Sequence, residues 1–222
     1  MKKPNPSELI AAEIAVEQVP PPETKLAADT LQRAFANNAI IRFMASVARN
    51  PNAAAHENFT QILARARVNG VIMRTSANYE GVAVWFLTGF ARSSLAHDLG
   101  IAWYKLRSFR LQQIAGLVPF YLEVEKAHIR IIRQPHYYLE ILGVDPRFQG
   151  QGFSSRLLRP VLEHADAQRK MCYLETQGRK NIALYEHFGF QVVETLSVYF
   201  DPEPYSLMLR KPATQTSYFF NS

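Results

Sequence analysis

The 222-residue sequence has one cysteine, no long apolar run and no grouping of histidines at metal-ligand spacing. Each shortage excludes something. A lone Cys172 rules out an intramolecular disulfide framework and any zinc site built from several thiolates. The longest uncharged apolar stretch, Gly81 to Ala91, has 11 residues, about half of the ~20 that a membrane-spanning helix needs. Lys2 and Lys3 open the chain, but Glu8, Glu13 and Glu17 interrupt any apolar core behind them, so no secretory signal is expected. His56, His97, His128, His164 and His187 show no ligand spacing, and no metal is expected. Disorder is excluded by a composition that is 48% hydrophobic and 12% aromatic. The length suits one domain that buries roughly 70% of its unfolded surface. The expectation is a cytoplasmic protein without a membrane partner, a monomer or a homodimer.

Acidic residues are the scarcer sign: the formal charge is +6. Such a balance raises nucleic acid as a partner. Its distribution argues against one. Trp103 to Arg133 carries +4 of the excess, with no arginine-rich tail or zinc-finger spacing beside it. Solvated faces of two amphipathic helices account for that segment, and a basic rim attracting an anionic ligand is the other reading.

Along the chain, Thr24 is placed to cap a helix with Leu26, Ala27, Leu31, Ala34 and Phe35 on its apolar face. A strand is expected over Glu13 to Val19, a second helix over Ala53 to Val68, and strands over Gly70 to Thr75 and Gly81 to Leu87. The basic segment reads as two helices, the second starting at Pro119 with Phe120, Val124, Ala127 and Ile131 on one face. His136 to Val144 reads as a strand and Phe153 to Gln168 as a helix that Pro160 must distort. A strand Met171 to Thr176, a helix Ile182 to Phe188 and strands Gln191 to Tyr199 and Tyr205 to Arg210 complete the order.

The most informative stretch runs Leu142-Gly143-Val144-Asp145-Pro146-Arg147-Phe148-Gln149-Gly150-Gln151-Gly152-Phe153-Ser154-Ser155. A strand ends, a proline turn follows, and two glycines open a helix. Glycines there let successive N–H groups point into one concavity, and the helix start adds partial positive charge, which suits a pyrophosphate. The dinucleotide fingerprint is a poor match, because Ser155 stands where its third glycine belongs and five residues separate strand from first glycine.

The segment from Val144 to Ser154 resembles the acetyl-CoA loop of the GNAT superfamily of N-acetyltransferases, [Q/R]-x-x-G-x-[G/A], with Gln149 and Gly152 matching and Ser154 replacing the last small residue. Asn181-Ile-Ala-Leu-Tyr185-Glu-His-Phe-Gly189-Phe190 is similar to the family's N-x-x-x-Y-x-x-x-G-F block. The resemblance implies an α/β (α+β mixed) fold with a mixed, mostly antiparallel central sheet flanked by helices and splayed at the CoA site. It implies one domain over 1–222, with a helical insertion at about 90–135 and a short tail at 213–222.

It also implies roles. Acetyl-CoA would lie against Leu142, Gly143, Val144, Gln149, Gly150, Gln151, Gly152, Phe153, Ser154, Ser155 and Asn181, with the Gly143 region paired to pantetheine like another strand. Tyr185 would be the general acid, a phenol near pKa 10 facing a thiol near 8.5. Glu140, a charge inside an apolar strand and on one face with Tyr138 and Leu142 by period-two alternation, would be the general base. His136 and Glu175 stay open as alternatives for it. Cys172 reads as packing, and Arg156 and Arg159 as either phosphate contacts or solvated charges. The implied activity is acetyl transfer to a primary amine of a small molecule or a peptide N-terminus, by direct attack in a ternary complex. A non-catalytic acyl-CoA-binding module and a nucleic-acid-binding protein using the 103–133 helices are the rival readings.

Overall fold

Six strands form: β1 (Gly70–Arg74), β2 (Gly81–Thr88), β3 (His136–Val144), β4 (Cys172–Gln177), β5 (Gln191–Val198) and β6 (Asp201–Arg210). They line up as β1-β2-β3-β4-β6-β5 in one open sheet. Every neighbouring pair is antiparallel except β3 with β4. The computed structural model describes residue 14 and residues 17–88 and 111–213. The first helix expected in the basic segment, with Trp103, Tyr104 and Phe109, lies outside the described residues, as does the tail beyond 213.

The helices are α1 (Thr24–Ala34), α2 (Ala39–Val47), α3 (Pro51–Asn69), α4 (Leu111–Ile131), α5 (Phe153–Ala167) and α6 (Arg179–His187). On one face, α1 and α3 bury Leu31, Phe59 and Leu63 against Ile72, Val82 and Val84. Farther along that face, α4 sets Ala127 and Ile132 on Tyr173 and Leu207. On the other face, α5 and α6 pack Leu157, Leu158, Val161 and Tyr185 against Trp85, Leu139 and Leu174. Each fully buried leucine or phenylalanine here stabilises by about 1.5–3 kcal/mol relative to exposure.

Local details depart from the sequence reading. Thr24 is the first residue of α1, not its cap: its hydroxyl donates to the Pro21 carbonyl at 2.8 Å. Of the strand expected over Glu13 to Val19, part lies outside the described residues, and among those described one bridge forms, Gln18 to Met73. Helix α2 went unread, although Asn38 caps it by accepting from the Ile41 amide at 3.1 Å. Helix α4 begins at Leu111, so Pro119 is interior rather than the start. Helix α5 continues through Pro160.

One irregularity shapes everything at the centre. Opposite β2, Val84 pairs with Ile141 and Trp85 with Leu139, so Glu140 is an extra residue on β3. This is a β-bulge, and it resets the alternation beyond it. Tyr138 and Ile141 pack on the α1–α3 face, while Leu142 turns to the opposite one, which corrects the expected Tyr138–Glu140–Leu142 face. Gly143 serves close approach: a Cβ there would sit 2.8 Å from Leu31 Cδ2 and 3.0 Å from Ala34 Cβ.

Candidate active site

Strands β3 and β4 pair over three positions only, Tyr137 with Cys172, Tyr138 with Tyr173 and Leu139 with Leu174. Beyond that point they separate. The remaining edge of β3, Glu140 to Val144, lacks a strand partner on its β4 side, and a cavity of about 1140 Å³ opens along it. The splay lets side chains from the two faces of the sheet share one space. Glu175 enters from the α4 face and Tyr185 from the α6 face, and both line the cavity.

At one end sits the loop read from sequence. Gly150 and Gly152 both have φ of +78°, in the left-handed region, and a Cβ at either would meet nothing within 4 Å. Open space above a left-handed glycine backbone is what a ligand lying on the loop requires. The first amides bonded into α5 are those of Ser155 and Arg156, both to the Gly152 carbonyl at 3.1 and 3.4 Å, so the amides just before them form the free helix start. Gln149 is used for structure: its side-chain amide donates to the Val144 carbonyl at 3.1 Å. Asn181 ties α6 to β4 by donating to the Gln177 carbonyl at 2.8 Å and also lines the cavity.

The loop is anchored by an acid that the sequence reading passed over. Asp145 is buried and receives Arg147 Nη2 at 2.8 Å and Arg33 Nε at 2.6 Å. The hydrogen bonds from Arg147 first, and then from Arg33, outweigh burial and hold its carboxyl well below the usual carboxylate range. Arg156 and Arg159 place their guanidiniums over Phe153 and Phe188, 5.0 and 5.6 Å from the ring centres.

The other end is a carboxylate pocket. Glu140 pairs with Arg65 of α3, whose guanidinium also lies 4.6 Å above the Phe86 ring. Among the described residues, no lysine or arginine pairs with Glu175 in this way. Its side chain is 5% exposed and accepts a hydrogen bond from Tyr138 Oη at 2.8 Å. Burial first, and the nearby charges of Glu140 and Glu125 after it, push its carboxyl up to about 7 against the opposing Tyr138 bond. Burial also keeps the phenols of Tyr138 and Tyr185 above the usual range, hence protonated near neutrality. Cys172 is fully buried and its thiol is pushed up to about 12, which makes it packing rather than a nucleophile.

The structure therefore brings Gly150, Gly152, Phe153, Ser154, Leu142, Gly143, Val144, Gln149, Asn181, Tyr185 and Glu140 to one cavity. It adds Glu175, which sequence reading had only as an alternative, and His128, which it had only as a histidine without metal spacing. A period-two count from Tyr173 could have flagged Glu175 as an acid in a buried strand, but only tertiary structure shows that no lysine or arginine among the described residues meets it.

A sheet splayed at its one parallel pair, with a glycine-opened helix facing the gap, fits the class of protein that the comparisons give, an acyltransferase. Residues 83–190 match the family model of the acetyltransferase (GNAT) family, and the chain belongs to the GNAT superfamily of N-acetyltransferases. It is 25% identical over 212 residues to an uncharacterized N-acetyltransferase of Schizosaccharomyces pombe, covering 91% of this chain and 85% of that one. Over 66 residues it is 38% identical to the N-alpha-acetyltransferase RimI of Mycobacterium tuberculosis, a match of 29% of this chain and 42% of RimI. The arylalkylamine N-acetyltransferase 2 of Aedes aegypti shares the fold with a TM-score of 0.64, at 14% identity over 89% of this chain and 98% of that one. Among the described residues no helix is long and apolar enough to cross a membrane, and no group of three or more metal-ligating side chains occurs.

Proposed function

We propose that the protein moves an acetyl group from acetyl-CoA to a primary amine, on a small molecule or a peptide N-terminus, by direct attack in a ternary complex. The observation that carries this reading is the pairing, across the splayed strands, of an uncompensated buried carboxyl at Glu175 with a buried phenol at Tyr185. Bound acetyl-CoA supplies the activated acetyl group as a thioester. The amides of Gly150 to Ser154 would hold its pyrophosphate, and the free edge at Leu142 to Val144 would align its pantetheine arm, with Asn181 beside it.

Glu175 is the better general base. An alkylammonium near pKa 10.4 must lose a proton before it can attack. An ordinary carboxylate lies about six units below that, while one near 7 closes the gap by roughly 2.5 units, about 3 kcal/mol. Proton uptake by Glu140 would break its pair with Arg65, so Glu140 serves instead as the fixed negative charge that keeps Glu175 basic. Tyr138 donates to Glu175 and orients it. Tyr185, protonated and facing the same cavity, gives its proton to the departing sulfur.

The acceptor reaches this pocket past α4. Phe120, Tyr121 and Tyr205 form a partly aromatic wall there, with Phe120 and Tyr205 rings 5.3 Å apart. An amine panel assayed with acetyl-CoA and thiol release tests the reaction. Thiol release that depends on an amine and loses its acid limb in Glu175→Gln supports it. CoA binding with no amine-dependent release across the panel leaves a non-catalytic binding module.

A further inference from the structure

Behind Glu175 stands a pair of histidines that the reaction outlined above does not use. His136 opens β3 and is buried; His128 comes from α4, with its ring stacked on Tyr173 at 4.0 Å and 22°. Their Nε2 atoms are 2.8 Å apart, His136 Nδ1 is 2.7 Å from the Gln134 carbonyl oxygen, and His128 Nδ1 is 3.9 Å from Glu175 Oε1.

We infer that His136 is a positioning residue: acting through His128, it turns an unprotonated ring nitrogen toward Glu175 and so keeps that carboxyl able to take a proton. The inference rests on Glu175 being the base. A carbonyl oxygen only accepts, so His136 Nδ1 carries a hydrogen. A neutral His136 then has a bare Nε2, and the 2.8 Å contact is made only if His128 Nε2 donates to it. That leaves His128 Nδ1 as a lone pair on the side facing Glu175.

The reverse tautomer would aim an N–H at the carboxylate, stabilise the anion and weaken the base. Burial, together with the His136 neighbour, lowers the His128 pKa to about 4, and burial lowers that of His136 as well, so burial favours the neutral form of both rings. The other groups facing Glu175 are Tyr138 and Glu140 from β3, Tyr173 from its own strand, Glu125 from α4 and Tyr205 from β6. None brings a cation. The tautomer of His128 is thus the local choice that decides whether Glu175 faces an N–H beside the hydroxyl that Tyr138 already donates.

Two measurements test this. In protein with 15N-labelled histidine and no substrate, ring correlation spectra from pH 6 to 8 should show His128 neutral and protonated on Nε2; a cationic His128, or one protonated on Nδ1, overturns the inference. In kinetics, His136→Phe frees the His128 tautomer, so the acid limb of kcat/KM should move down by about one pH unit or more. Adding His128→Phe to that variant removes that ring N–H and should bring the limb back up. A limb that stays put in His136→Phe, or that does not return in the double variant, also overturns it. Glu175→Gln separates the layers: if the limb persists in that variant, Glu175 is not the base, whereas loss of the limb there with no response to His136→Phe removes only the histidine pair.

Discussion

The glycine loop from Val144 to Ser155 and the carboxylate pocket around Glu175 line one cavity and are built by different means. The loop is contiguous in sequence, exposed, and shaped by two left-handed glycines whose missing side chains leave open space above the backbone. The pocket gathers His128, His136, Tyr138 and Glu175 from α4, β3 and β4, in surroundings where burial shifts these four groups. Backbone amides suffice to hold a phosphate, because their dipoles are set by the chain trace. A carboxyl that works as a base near neutrality needs desolvation, and desolvation is a property of packing.

The sharpest way to break this comparison is Glu175→Gln. Turnover at neutral pH should fall by about 10²–10⁴, the range of one positioned base. Affinity for CoA, measured by calorimetry, should stay within about twofold, since the loop end is untouched. Near-normal turnover would move the base elsewhere, with Glu140 next. The same variant should report on stability. The folded-state pKa of Glu175 is raised from 4.5 to about 7, so ionising it opposes folding as pH rises from the ordinary value through 7. Glu175→Gln should therefore gain on the wild type between pH 5 and pH 8, by up to about 3 kcal/mol in urea unfolding. Equal gain at both pH values would mean that Glu175 is not desolvated.

Tyr185→Phe removes one hydroxyl and keeps the ring that packs 5.9 Å from Phe190. Turnover should drop by roughly 10² with little change in acetyl-CoA affinity. Tolerated turnover with a lowered melting temperature would make Tyr185 a core residue only. Gly143→Ala probes the seam between the two ends. Its Cβ would press on Leu31 and Ala34 of α1, and overpacking of this kind costs roughly 1–3 kcal/mol, readable as a lower urea midpoint. An unchanged midpoint would show that α1 is free to shift. The smallest effect is expected from Gly152→Val, at least about tenfold in CoA affinity, or 1.4 kcal/mol. A folded Gly152→Val protein with an unchanged dissociation constant would remove the loop from the site.

Much of the loop end was legible beforehand because its determinants are adjacent in the chain. Gln149, Gly150, Gly152 and the helix from Phe153 can be read in order, and so can Asn181 and Tyr185 one turn apart. Asp145 was not, since a lone acid before a proline says nothing of the two guanidiniums, one from α1, that hold it. At the pocket end the period-two count misled: it assumed a regular β3 and aligned Leu142 with Glu140, whereas the bulge at Glu140 changes the face of every residue after it. Glu140 drew attention as a charge in an apolar strand, and nothing local could show that Arg65 answers it.

By itself, then, the sequence determined the family, the order of most elements, the glycine loop that opens α5 and the helical tyrosine, all properties of neighbouring residues and of backbone that glycine permits. Tertiary structure alone decided where β3 and β4 part, which carboxylate keeps a cation and which loses one, and which histidine nitrogen faces Glu175. Those outcomes depend on burial and on charges contributed by distant segments, and a chain acquires both only when it folds.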